Sequence, residues 1–162
     1  MNDSRKNRNK VYLGVAWVIF GLVVLYLSVG EHGVPDRAAL ASATGPVQSV
    51  SKGKSSVKFS LNGDAHHFQH LSKSGKLLPV YQALSGAGRE MVTVLFDPAQ
   101  NWQPVFDENS YLTVYEIRVS DRTILSYEQA GEAWQADQHA GNWLGMAFVL
   151  IGVALIVFAR FR

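Results

Sequence analysis

Three histidines stand close together in the run His66-His67-Phe68-Gln69-His70, the best metal-ligand candidate in the chain. Zinc needs at least three nitrogen, oxygen or sulfur ligands converging on one point. On a strand, His66 and His70 share one side about 13 Å apart, and His67 faces the other. His139 or Asp64 would have to complete a site, and nothing in the spacing brings either of them there. The competing reading is a set of polar strand residues. Gly53-Lys54-Ser55 has the ending of a phosphate loop, but the glycine required five residues earlier is replaced by Gln48. No Gly-x-Ser-x-Gly occurs, so a nucleophile-elbow hydrolase has no support. Asp107 and Glu108, next to Asn109, could form an acid pair, although adjacent acids in a loop are usually solvated. Glu116 and Arg118 share a strand face and read as a cross-turn ion pair rather than a catalytic one. Trp102, Phe106 and Tyr111 crowd one connection. Aromatics of this kind sit at a lipid interface, on a protein partner, or as the lid of a small core. There are no cysteines, which excludes disulfides, thiolate metal sites and thiol catalysis. No cofactor is implied.

These residues must be positioned by the elements around them, and the ends of the chain dominate those. Val11 to Val29 is a 19-residue apolar run without an acidic or basic side chain, and Trp143 to Ala159 is a second such run. A helix of that length spans roughly 28 Å, close to the hydrocarbon core of a bilayer. The alternative of buried core helices would need a large soluble shell. The first run is longer than the apolar region of a cleaved signal peptide, and Ala41-Ser42-Ala43 lies far beyond its end. An uncleaved anchor is expected.

Arg5, Lys6, Arg8 and Lys10 precede the first run, and Arg160 and Arg162 follow the second. The positive-inside rule therefore predicts both termini in the cytoplasm and the intervening domain translocated, which for a protein of a Gram-negative bacterial inner membrane means the periplasm. Residues 31–141 carry nine Lys and Arg against twelve Asp and Glu, a net −3. An acidic outer domain is no nucleic-acid surface. The basic tails suit anionic lipid instead.

Both apolar runs contain an aromatic, then Leu-Gly, then a second glycine seven residues on. Gly14 and Gly21 mark one helix, and Gly145 and Gly152 mark the other. Seven residues make two turns, so each pair shares a face. Small residues let helices approach closely in lipid. The faces serve a tight helix pair or another membrane protein, or else the similarity is only compositional. Neither run holds an acidic, basic or amide residue, which argues against a transport pathway or proton relay.

Between the runs, residues 30–43 read as a linker and 44–126 as a β-rich domain. Val47 to Val50 is a short strand candidate. Val57 to Leu61 alternates with period two before Asn62-Gly63, a strong hairpin signal. A two-residue turn would pair Phe59 with His66 and Val57 with Phe68. Pro79 to Leu84 suggests a short helix. Met91 to Phe96 is an apolar strand stopped by Asp97-Pro98. Tyr111 to Val119 is a strand with Tyr111, Thr113, Tyr115, Ile117 and Val119 on one face, and Thr123 to Leu125 follows a turn. Ser126-x-x-Gln129 fits a capping box for a helix over 127–141, with a bend at Gly141-Asn142. The expected class is an α+β membrane protein. It combines a two-helix transmembrane hairpin with a small antiparallel sheet or partly closed barrel and one C-terminal helix.

Thr44-Gly45-Pro46-Val47-Gln48-Ser49-Val50 after an apolar helix, with Val92-Thr93-Val94-Leu95-Phe96-Asp97-Pro98 later, resembles a widespread bacterial family of membrane-anchored small β-domains of unknown function. Its motifs are Thr-Gly-x-Val-x-x-Val and Val-x-Val-x-Tyr-Asp-Pro, with Phe96 at the tyrosine position here. The likeness covers roughly residues 10–106 and implies a fold but no catalytic residues. In that family the second membrane helix usually follows soon after, whereas here residues 111–141 intervene.

The function expected is non-enzymatic. The outer domain and helix pair would bind a membrane or periplasmic protein, as an accessory or immunity-like component, or would self-associate, with membrane lipid as the other partner. The alternatives are a ligand- or metal-binding sensor and an uncharacterised hydrolase.

Overall fold

The computed structural model describes residues 3–30, 33–103 and 109–161. The elements in order are α1 (Asp3–Gly30), β1 (Ala41–Lys52), β2 (Ser56–Leu61), β3 (His67–Leu71), α2 (Leu77–Gly86), β4 (Met91–Trp102), β5 (Tyr111–Val119), β6 (Arg122–Leu125) and α3 (Tyr127–Arg160). The chain divides into two compact units. One is Gly33–Gln135, and the other joins Met1–His32 with Ala136–Arg162.

The Gly33–Gln135 unit is α+β. Its six strands lie in the order β3-β2-β1-β4-β5-β6, and neighbours in that order are antiparallel. β3 also pairs in parallel with β5, His67 to Gln69 against Tyr111 to Thr113. The pairings therefore run β3-β2-β1-β4-β5 and return to β3. Inside this circuit lie Val57, Phe59, Leu61, Phe68, Val92, Val94, Leu112, Val114 and Ile117, all buried. Phe68 stacks near both Phe59 and Phe96, with ring centres 5.5 and 5.3 Å apart. α2 packs on β1, β2, β3 and β6 and buries Val80 and Leu84.

β1 begins at Ala41 rather than at Val47, so residues 41–43 belong to the sheet and not to a linker. Small residues and a proline give this stretch no alternation signal, but Ala41 to Pro46 pair with β4, and Val47 to Lys52 pair with β2. Gly45 sits where one half gives way to the other. A methyl group there would lie 2.6 Å from the Asn62 carbonyl oxygen, and the Pro46 carbonyl accepts the Asn62 N–H at 2.8 Å. The Thr-Gly-Pro motif is thus a close crossing of two backbones.

The β2–β3 hairpin keeps its expected faces but slips by two residues, pairing Phe59 with Phe68 and Val57 with His70. Residues 62–66 form the loop. Asp64 Oδ1 accepts the His66 N–H at 2.8 Å and so holds His66 in the loop instead of the ladder. A two-residue slip preserves side-chain parity. Asp97-Pro98 does not stop β4 either. Asp97 Oδ1 accepts the Ala99 N–H at 2.8 Å, and after an irregularity the pairing with β5 resumes at Asn101 and Trp102.

In β5 an extra residue enters where Leu95 pairs with Glu116 and Phe96 with Val114. This bulge at Tyr115 switches parity. Ile117 and Val119 therefore join Leu112 and Val114 on the inner side, rather than sharing a face with Tyr111 and Thr113. Tyr115 is covered from outside by Trp134 of α3, with ring centres 6.3 Å apart, and its hydroxyl donates to Gln100 Oε1 at 3.1 Å. Burial, aided by the Asp97 carboxylate, raises the Tyr115 pKa.

α3 starts with the expected reciprocal cap. Ser126 Oγ accepts from the Gln129 N–H at 3.2 Å, and Gln129 Oε1 accepts from the Ser126 N–H at 3.1 Å. Beside it, Arg37 bonds Glu116 at 2.8 Å and Glu128 at 3.3 Å, so Glu116 pairs with Arg37 and not with Arg118. The Glu128 carboxyl is held low by its own backbone N–H at the helix start, then by Ser126 and by Arg37. The helix continues to Arg160, so the C-terminal helix and the second apolar run are a single element.

In the other unit, Arg8–Ser28 and the apolar part of Tyr127–Arg160 are long and apolar enough to cross a membrane. Only 11% and 17% of these windows are buried, the reverse of core helices in a soluble protein. Gly14 and Gly21 stand against α3. A methyl group on Gly14 would lie 2.7 Å from the Gly152 carbonyl oxygen, and one on Gly21 would lie 2.7 Å from that of Gly145. In the reverse direction a methyl group on Gly152 would lie 2.5 Å from the Gly14 carbonyl oxygen, and one on Gly145 would lie 3.1 Å from that of Gly21, with the Leu25 side chain nearer still at 2.7 Å. Trp17, Phe20 and Phe148 cluster alongside, with centroids 5.0 to 6.4 Å apart.

Two substitutions in the sheet-bearing unit test this packing. Ser126→Ala should cost about 1 kcal/mol through loss of the cap. Gly45→Ala should cost roughly 1–3 kcal/mol, because backbone rather than a flexible side chain must move. Thermal unfolding of the full-length protein in detergent measures both. A wild-type melting curve for Gly45→Ala would contradict the backbone crossing.

Candidate interaction surface

The outer side of β2, β3 and β5 gathers a group of side chains that the ladder fixes in register. Ser60 pairs with His67, His67 with Tyr111, and Trp102 with Tyr111. The Lys58 ammonium lies 4.0 Å above the centre of the Tyr111 ring and 6.0 Å from that of Trp102. The His67 ring is 5.8 Å from Tyr111. Tyr111 is buried and forms the floor, whereas Trp102 at the end of β4 is 51% exposed.

A cation held over aromatic faces is stabilised by about 0.5–1 kcal/mol at an exposed site, more where water is excluded. The arrangement also leaves one indole available to solvent beside a fixed positive charge. This is the chemistry of an amphipathic contact, in which an apolar plate meets an apolar group and the cation orients a polar one.

Of the sequence candidates, Trp102 and Tyr111 come together. Phe106 lies outside the described residues, as do Asp107 and Glu108. Sequence spacing does not reveal Lys58 and His67 as partners of the aromatics. Their signal was the period-two alternation, which already placed His67 opposite His66 and His70.

The metal candidates separate. His66 is exposed at the hairpin end, where its Nδ1 lies 2.6 Å from Asp64 Oδ1. His70 is enclosed in the core. Among the described residues, no three His, Cys, Asp or Glu side chains gather as a metal set. Gly14, Gly21, Gly145 and Gly152 are all engaged with one another inside the chain. They line the seam between α1 and α3 and are not presented outward.

No family model, curated protein or solved structure matches this chain.

Titration of the full-length protein with zinc in a calorimeter is expected to give no saturable binding. A one-to-one isotherm abolished by His66→Ala with His70→Ala would place a metal site on this hairpin.

Proposed function

We propose that this chain is a non-enzymatic inner-membrane protein whose sheet-bearing domain binds a membrane or periplasmic protein, in an accessory or immunity-like role. Two membrane-spanning helices would anchor it, with both termini in the cytoplasm and the domain in the periplasm. The basic residues Arg5, Lys6, Arg8, Lys10, Arg160 and Arg162 outside the apolar runs support that orientation. We also propose that the circuit of five strands is a partly closed barrel, and that the chain is related to the membrane-anchored β-domain family that its two motifs resemble.

The observation that carries the binding role is the half-exposed Trp102 beside Lys58, Tyr111 and His67. In five-stranded, partly open Greek-key barrels, the face of strands two and three and the adjoining loops form the binding surface, there for oligonucleotides and oligosaccharides. Lys58 and His67 lie on that face. Tryptophan and tyrosine, with arginine, are the side chains most enriched among those that carry binding energy at protein interfaces. The glycine seam has a different task in this reading. It holds α1 and α3 as one hairpin, and the membrane-facing contact with a partner, if it is made through the helices, uses their outer faces.

A photo-crosslinking amino acid placed at Trp102 in the full-length protein, expressed in its own cells, tests the proposal. A discrete protein adduct identified by mass spectrometry is expected, with no such adduct from Glu132 on the exposed side of α3. Trp102→Ala should reduce recovery of that partner at least tenfold without changing the melting curve. Gly21→Leu with Gly152→Leu should lose it only by disrupting the hairpin. The binding role fails if position 102 yields no adduct, or only the scatter seen at position 132.

A further inference from the structure

His70 is 0% exposed, and neither of its ring nitrogens has a hydrogen-bond partner among the described residues. Gln69 Oε1 and Ser74 Oγ, close by in sequence, are buried without one too. A buried polar group left unpaired weakens the structure that encloses it. His70 and Ser74 mark the corner formed by β3, residues 72–76 and the start of α2 as poorly satisfied, and Gln69 adds an orphaned oxygen on the other face of β3. This corner is also thinly tied. β3 meets β5 through three residue pairs, and Gly75 at φ +139° supplies a joint that other residues rarely adopt.

The surroundings of the ring are apolar. Val57 lies opposite His70 on β2, and Leu125 of β6 and the Gly75 backbone lie alongside. The charged and titratable groups of the neighbouring elements are turned elsewhere. Lys58 of β2 lies over Tyr111, and His67 of β3 packs on that same ring. Lys73 lies over Trp134 at 4.0 Å, and Lys76 is exposed. On β5, Glu116 bonds Arg37, Arg118 is exposed, and Tyr115 faces Trp134. Arg122 of β6 bonds Glu90, and α2 offers only the half-buried Tyr81. No charged side chain contributes to the titration of His70.

We infer that His70 makes this corner an acid-operated latch, in which proton uptake releases β3 and α2 while β1 and β4 stay paired. Burial pushes the imidazole pKa down to about 4 from 6.5, against a smaller upward pull from the backbone of Lys76 and Gly75, which lies close without forming a well-aligned hydrogen bond. The closed corner thus favours the neutral ring, and the opened ring recovers its ordinary affinity for protons. Closure is fully stable above about pH 6.5 and is lost progressively as pH falls toward 4. The opening constant should rise about 30-fold between pH 7.5 and pH 5. Release of β3 would draw His67 away from Tyr111 and so remodel the aromatic surface. That last consequence rests on the proposed binding role, whereas the latch itself does not.

The test is hydrogen exchange of the full-length protein in detergent micelles at pH 7.5 and pH 5, corrected for intrinsic exchange. Opening of residues 67–86 should increase about 30-fold relative to residues 91–102, and His70→Leu should remove the increase. An equal change in both segments, or the same increase in His70→Leu, would overturn the latch. If that variant does not fold, NMR titration of the histidine Cε1 carbons in the wild type decides. A His70 midpoint below 5 is expected, and a midpoint near 6.5 in the folded protein would overturn it. Neither readout needs a partner, so failure here is distinct from failure of the binding role.

Discussion

Three residue pairs between parallel strands, His67 to Gln69 against Tyr111 to Thr113, hold the sheet-bearing unit in its form. Without them the sheet would be open, with β3 as a bare edge of the kind that pairs indiscriminately with other chains. With them, the inner side chains of five strands face one another, and β5 is buried along most of its length. The bulge at Tyr115 is the local device that lets β5 serve two environments. Leu112, Val114, Ile117 and Val119 point into the core, while Tyr115 and Glu116 turn outward, to Trp134 and to Arg37. The same closure brings His67 beside Tyr111 and thereby assembles the aromatic and basic surface from strands far apart in sequence.

Much of this was legible before any coordinates. Period-two alternation located β2 and β5, and the Ser126 and Gln129 pair located the start of α3. Both apolar runs are helical over their full length. What escaped was non-local. Ala41 to Pro46 is a strand because β4 lies beside it, not because of its own residue types. Asn62-Gly63 announced a hairpin, but its register was settled by the Asp64 carboxylate capturing the His66 N–H. Asp97-Pro98 looked like a terminator because proline has no N–H to give. The chain instead spends those residues on an irregularity and resumes pairing. The extra residue at Tyr115 left no mark in the alternation, since Tyr, Glu and Ile fit either phase.

The candidate site was legible only in part. Trp102 and Tyr111 could be picked out as aromatics crowding one connection. Their companions Lys58 and His67 required the ladder pairings, which span more than forty residues of sequence. The four glycines were visible as a repeat, and the geometry shows where the repeat is used: each glycine faces a carbonyl oxygen of the other helix. Such close approach favours weak Cα–H···O contacts and dispersion, the forces available to helices in lipid.

In the proposed topology an apolar hairpin holds the sheet-bearing domain outside the cytoplasm. Because the chain lacks cysteine, single cysteines at Asn9 and at Lys54 report its topology cleanly with a membrane-impermeant maleimide on intact spheroplasts. The account predicts labelling at Lys54→Cys without lysis and at Asn9→Cys only after it. Labelling of Asn9→Cys from outside with Lys54→Cys protected, or recovery of either protein in the soluble fraction, would contradict it.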